Sequence, residues 1–72
     1  MNTETIKRVE LLNSLTKTLS ILKPSIGFNE RDKKMHDECK RQCELILEEV
    51  KNDVDTEYFL YVDSLNRFNY WK

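Results

Sequence analysis

The residues best suited to chemistry are one histidine and two cysteines in the middle of the chain. His36, Cys39 and Cys43 stand at i, i+3 and i+7, a spacing that places all three on one face of a helix. Imidazole and thiolate are zinc ligands, but a structural zinc site has four ligands and usually takes them from two elements. The sequence holds no other His or Cys. We therefore expect no metal and no cofactor, with a His-Cys-Cys zinc-stabilised protein as an alternative.

The same residues are poor candidates for catalysis. A nucleophilic thiol needs a neighbouring base, and a third group that orients the base. His36 and Cys39 are one helical turn apart, yet no cleft or orienting loop is indicated around them. A chain with one Gly also lacks the glycine-rich loop that binds phosphates. We predict that the protein is not an enzyme and has no catalytic residues.

The composition favours a small all-α fold. The 72 residues include one Gly and one Pro, and 39% are hydrophobic and 35% charged. Few turn-forming residues argue for a few long helices rather than a sheet. We predict a single domain over residues 1–72, a helical hairpin or three-helix bundle, and we expect it to be a homodimer. No apolar run is long enough for a membrane span. The start of the chain has no secretory pattern, so we expect a cytoplasmic protein without membrane association.

Apolar periodicity predicts the first two helices. A stripe with gaps of three or four residues predicts a helix at about 3–22, capped by Asn2 or Thr3. Pro24 ends this helix, and the turn at 23–29 contains the apolar residues Ile26 and Phe28, which we expect to close the hairpin. Asn29 is a good cap for a second helix that begins at about residue 30.

A second stripe continues over the rest of the chain and allows two interpretations. Its members are Met35, Cys39, Cys43, Ile46, Val50, Val54, Tyr58, Tyr61, Leu65 and Phe68. Either one helix covers about 30–70, or two helices cover about 30–52 and 55–70. Asn52, Asp53 and Asp55 are weak helix formers, and the aspartates suit a new helix N-terminus. We favour the break and keep the continuous helix as the alternative.

The C-terminal segment is unusually aromatic, with six of the seven aromatic residues between residues 58 and 71. A helix this apolar on more than one face needs a partner on more than one side. Aromatic residues with arginine are typical of protein interfaces. We predict a partner-binding surface formed by Tyr58, Phe59, Tyr61, Leu65, Arg67, Phe68 and Trp71. The alternative is an ordinary three-helix core with Trp71 as its lid.

Charge is distributed unevenly although the net charge is −1. Residues 1–28 carry four basic and two acidic side chains, whereas residues 29–56 carry six basic and nine acidic ones. The acidic end of the second helix is a candidate docking surface for a basic partner, formed by Glu44, Glu48, Glu49, Asp53 and Asp55. No segment is basic enough to indicate a nucleic-acid footprint, and a small nucleic-acid-binding regulator is kept as an alternative.

These patterns predict a binding protein rather than an enzyme. We expect a small non-enzymatic interaction module that presents a helix face to a protein partner of unknown identity. Such a module would act as an inhibitor, adaptor or assembly factor. The composition suits a bacterial or phage accessory protein.

Overall fold

The computed structural model describes the backbone of residues 1–22 and 30–71 and the side chains of residues 1–22 and 30–70. Within these ranges it consists of helices and turns without strands, which confirms the all-α prediction. The helices are α1 (Thr3–Leu22), α2 (Glu30–Val50) and α3 (Phe59–Trp71). The predicted turn at 23–29, with Ile26, Phe28 and the Asn29 cap, lies outside the described residues.

Helix α1 begins at an asparagine cap. The Asn2 Oδ1 atom accepts a hydrogen bond from the Thr5 backbone N–H at 2.8 Å, and the Asn2 carbonyl accepts one from Ile6 at 3.2 Å. The side chain thus satisfies one of the backbone donors left free in the first turn. From this start, one face of α1 is buried along its length, formed by Thr5, Val9, Leu12, Thr16 and Leu19.

Helices α2 and α3 are separate, so the continuous-helix alternative is wrong. After α2 ends, the Val50 carbonyl accepts from both Asp53 N–H at 3.0 Å and Val54 N–H at 2.8 Å, and this double acceptance turns the chain. The Asp55 carboxylate then accepts the Glu57 backbone N–H at 2.9 Å. Side chains of this type compete with helix geometry by bonding nearby backbone, which explains the break.

Helix α1 forms the centre of the core. Helix α2 runs antiparallel to it, since Arg8 near the start of α1 pairs with Glu49 near the end of α2 at 2.8 Å. Both α2 and α3 pack extensively on α1, whereas the described parts of α2 and α3 scarcely contact each other. The buried hydrophobic cluster consists of Val9, Leu12, Leu19, Cys43, Ile46, Val50, Val54 and Phe68.

The burial of α1 gives a direct test of this core. Leu12 is 0% exposed and its neighbour Leu11 is 52% exposed. We expect Leu12→Ala to lower the free energy of unfolding by about 2–5 kcal/mol, because it removes buried methyl groups and leaves a cavity. Urea denaturation followed by circular dichroism measures the change, and Leu11→Ala is the matched control. A similar loss for both variants would contradict the central position of α1.

Candidate protein-binding groove

An open groove lies between α2 and α3, on the side where these two helices do not meet. Its volume is about 370 Å³. Residues from both helices line it: Glu44, Leu47, Glu48, Lys51, Tyr61, Leu65, Phe68 and Asn69. The groove exists because α2 and α3 each pack on α1 and scarcely contact each other, so that side chains between them stay partly open to solvent.

Apolar and polar groups share the lining of the groove about equally. Leu47, Tyr61 and Leu65 are half-buried, and Phe68, which belongs to the buried core, also lines it. Leu47 and Tyr61 also pack against the core cluster. Half-buried apolar side chains that line a cleft gain free energy when a ligand removes them from water.

The rim of the groove is polar, with two glutamates, one lysine and one asparagine. Glu44 and Asn69 are exposed. Glu44 makes no ion pair with any described residue. Glu48 pairs with Lys51 at 2.6 Å, and both of these side chains are more than half exposed. An exposed pair of this kind contributes little to stability, so Glu48 and Lys51 are not fixed to each other.

Apolar surface continues from the groove over the outer side of α3. Leu65, Val62 and Phe59 follow each other at intervals of three residues, which places them in one row along the helix. Their exposure increases along this row, from half-buried Leu65 to Val62 at 39% and Phe59 at 73%. The α3 wall therefore offers apolar contacts beyond the groove itself.

The structure separates the seven residues that were predicted to bind a partner. Leu65 and Tyr61 line the groove, Phe59 lies on the outer side of α3, and Tyr58 is half-buried against the core. Phe68 is only 3% exposed and belongs to the core, although it also lines the groove. The side chain of Trp71 lies outside the described residues.

Arg67, which we predicted at the partner-binding surface, bonds to α1 within the chain. Its Nη1 atom donates to Asn13 Oδ1 at 3.1 Å and to Thr16 Oγ1 at 3.0 Å, and its Nη2 atom donates to Asp63 Oδ2 at 2.7 Å. Thr16 is fully buried, and its hydroxyl also donates to the Asn13 carbonyl at 3.0 Å. The guanidinium thus links α3 to α1, and three of its five N–H donors bond within the chain.

The five predicted acidic docking residues are all exposed, but they have different surroundings. Glu44 and Glu48 line the groove, whereas Glu49 pairs with Arg8. Asp53 and Asp55 lie in the turn between α2 and α3, where the Asp55 carboxylate bonds to backbone. The structure therefore brings two of the five carboxylates to the groove.

His36, Cys39 and Cys43 lie along the core side of α2. His36 and Cys43 are buried and Cys39 is half-buried, and both cysteines are free thiols. Among the described residues, no group of three His, Cys, Asp or Glu side chains is arranged to hold a metal ion. Burial, followed by the nearby Cys39 and Glu44, raises the pKa of the Cys43 thiol to about 11. Burial, followed by Glu38, also raises the pKa of Cys39. A raised pKa makes both thiols weak nucleophiles at neutral pH.

Sequence reasoning missed two features of this region. Leu47 was not assigned to the apolar stripe, although it follows Cys43 by four residues and therefore shares its side of α2. Asn13 and Thr16 were not expected to bind Arg67. Thr16 stands four residues after Leu12 and three before Leu19, so a polar position inside the apolar face of α1 was the available signal.

No protein-family model matches this sequence, and neither a curated protein nor a solved structure is significantly similar to it. None of the described helices is long and apolar enough to cross a membrane. The groove is therefore interpreted from its own geometry and chemistry.

The two cysteines give a pH-dependent test of the core side of α2. With a pKa of about 11, roughly one Cys43 thiol in a thousand is ionised at pH 8. We expect iodoacetamide to alkylate Cys39 much faster than Cys43 at pH 8, and the Cys43 rate to increase as the pH rises toward 11. Trypsin cleaves after Lys40 and Arg41, so mass spectrometry can quantify each cysteine in its own peptide.

Alkylation in denaturing urea is the control, because unfolding exposes both thiols and should make their rates similar. Equal rates in the folded protein at pH 8 would contradict the burial of Cys43.

Proposed function

We propose that this chain is a non-enzymatic protein–protein interaction module whose binding site is the groove between α2 and α3. The observation that carries the proposal is the open groove between two helices that share α1 and scarcely contact each other, with Leu47, Tyr61 and Leu65 in its lining. A concave surface of this form matches helix-in-groove recognition, in which a partner helix inserts apolar side chains at i, i+3, i+4 and i+7.

The proposed binding surface combines groove residues with the outer row of α3. Leu47, Tyr61 and Leu65 form its half-buried centre, and Val62 and Phe59 extend it. A bound partner would remove these central side chains from water. Fully desolvated residues at the centre of an interface contribute most of its binding free energy. Asn69 and Glu44 supply a polar rim around them.

A chain with this surface would act as an inhibitor, adaptor or assembly factor for a larger protein. Helical interaction modules of this size suit a bacterial or phage accessory protein. The homodimer expected from the sequence stays a prediction, and in that case a helix of a second copy would occupy the groove.

Site-specific photo-crosslinking tests the groove directly. A photoreactive benzoylphenylalanine at Asn69, on the exposed rim, should form a crosslink of one defined mass in cells of the organism that encodes the chain. The same group at Leu45 is the matched control, because Leu45 is 51% exposed on α2 but does not line the groove. Mass spectrometry identifies the crosslinked protein.

A second change shows whether the crosslink depends on the groove. Leu65→Lys in the Asn69-labelled chain should abolish the crosslink while circular dichroism shows unchanged helicity, because a charge on the groove wall opposes an apolar ligand. Equal crosslinking from Asn69 and Leu45 would contradict the proposal. A crosslink to a second copy of the chain alone would support the homodimer and contradict a different protein as the partner.

A further inference from the structure

We infer that the occupant of the groove is an amphipathic helix of another protein that carries lysine or arginine beside its apolar stripe. This inference rests on the proposed function and adds the chemical class of the partner. It depends on three features, namely the length of the groove, the charge of its rim and the acidic segment at residues 44–57.

The length of the groove sets the spacing of the apolar residues in the partner. On the α2 side the lining residues extend from Glu44 to Lys51, just after the helix, and on α3 from Tyr61 to Asn69. These spans correspond to about 10–12 Å along each helix, or about two helical turns. A helix lying between the two walls therefore buries apolar side chains at i, i+4 and i+7.

The charge of the rim indicates which residues flank the apolar stripe of the partner helix. Glu44 has no cationic partner among the described residues. The pair of Glu48 and Lys51 is exposed on both sides, so a partner cation can replace the lysine at low cost. Arg67 of α3 does not line the groove; it is bonded to α1 and to Asp63 and does not offset these carboxylates.

The chain on the α2 side of the rim is rich in acidic residues. Residues 44–57 contain six acidic side chains and a single basic one, Lys51. Among the described residues, Glu49 is the only one of the six with an ion pair outside this segment, and it pairs with Arg8. A concentrated negative field attracts a cationic ligand and accelerates its association.

The same charges disfavour a second copy of the chain as the occupant. A two-fold symmetric pairing of two copies through this groove would bring the Glu44 and Glu48 carboxylates of both copies to one interface. Like charges that face each other across an interface repel and so weaken the binding of two copies. A cationic helix of a different protein meets no such repulsion.

Three synthetic peptides of about 18 residues separate the apolar and electrostatic parts of this inference. All three carry leucine at i, i+4, i+7 and i+11 and a lactam bridge that fixes the helix, and their flanking positions are lysine, glutamine or glutamate. Fluorescence anisotropy measures the Kd of each labelled peptide for the full chain. We expect the lysine peptide to bind at least about tenfold more tightly than the glutamate peptide at low salt, with the difference decreasing at about 0.15 M salt.

Two matched variants show whether the preference for the lysine peptide arises at the groove. Glu44→Gln should weaken the lysine peptide by about two- to fivefold and leave the glutamine peptide unchanged, because it removes one rim charge. Glu10→Gln removes one exposed carboxylate from α1, away from the groove, and should leave all three Kd values unchanged. Both substitutions are at exposed positions, where they leave the core intact.

The outcomes distinguish the inference from the proposal on which it rests. Equal Kd values for the three peptides, reduced together by Leu65→Lys, would overturn the cationic partner and leave the groove as the binding site. A lysine peptide that binds equally to the original chain, Glu44→Gln and Leu65→Lys would show attraction outside the groove and overturn the inference. No saturable binding of any peptide up to about 1 mM would contradict the inference and the proposed groove together.

Discussion

One buried face of a single helix holds the rest of this molecule together. Val9, Leu12 and Leu19 of α1 are fully buried, and both other helices pack on α1. A chain of this size has one small core, so its free energy of folding depends on a few such residues. Because α1 is shared, the position of α2 and the position of α3 are each set by α1 rather than by one another.

The groove is a consequence of this shared helix. Apolar side chains of α2 and α3 turn toward α1, which leaves Leu47 and Leu65 half-buried where the two helices diverge. The hydrogen bonds of Arg67 to Asn13 and Thr16 hold α3 against α1. A buried polar link of this kind fixes the orientation of a helix more narrowly than apolar contact does, because its donors and acceptors must coincide. The groove thus keeps its half-buried apolar side chains and polar rim in the isolated chain.

The sequence was sufficient for the helical class and for most of the buried positions. The scarcity of Gly and Pro, the Asn2 cap and the aspartates near residue 53 correspond to features that the structure contains. The predicted buried stripe of α2 disagrees with the structure at its first residue, because Met35 is 45% exposed. Successive gaps of four residues drift around a helix of 3.6 residues per turn, so Met35 no longer shares the buried side with Cys43.

The candidate site was harder to predict because the docking of α3 decides it. Composition marked residues 58–71 as aromatic, but it could not show which side of that helix would meet α1. Phe68 and Arg67 belong to the side that does, while Phe59 and Val62 belong to the side that does not. Only the tertiary contact distinguishes them, and the same contact leaves Leu65 on the wall of a groove that periodicity alone did not indicate.

The proposed binding site requires that the space between α2 and α3 is open to solvent. The relaxation of leucine methyl protons by a soluble paramagnetic gadolinium chelate tests this most directly. In dilute solution, the methyl groups of Leu47 and Leu65 should relax clearly faster with increasing chelate, while those of Leu12 and Leu19 should show almost no effect. Such a pattern would show that solvent reaches the groove but not the face of α1. Protection of Leu47 and Leu65 equal to that of Leu12 and Leu19 would contradict the account, because it would mean that the two helices close on each other or are already covered.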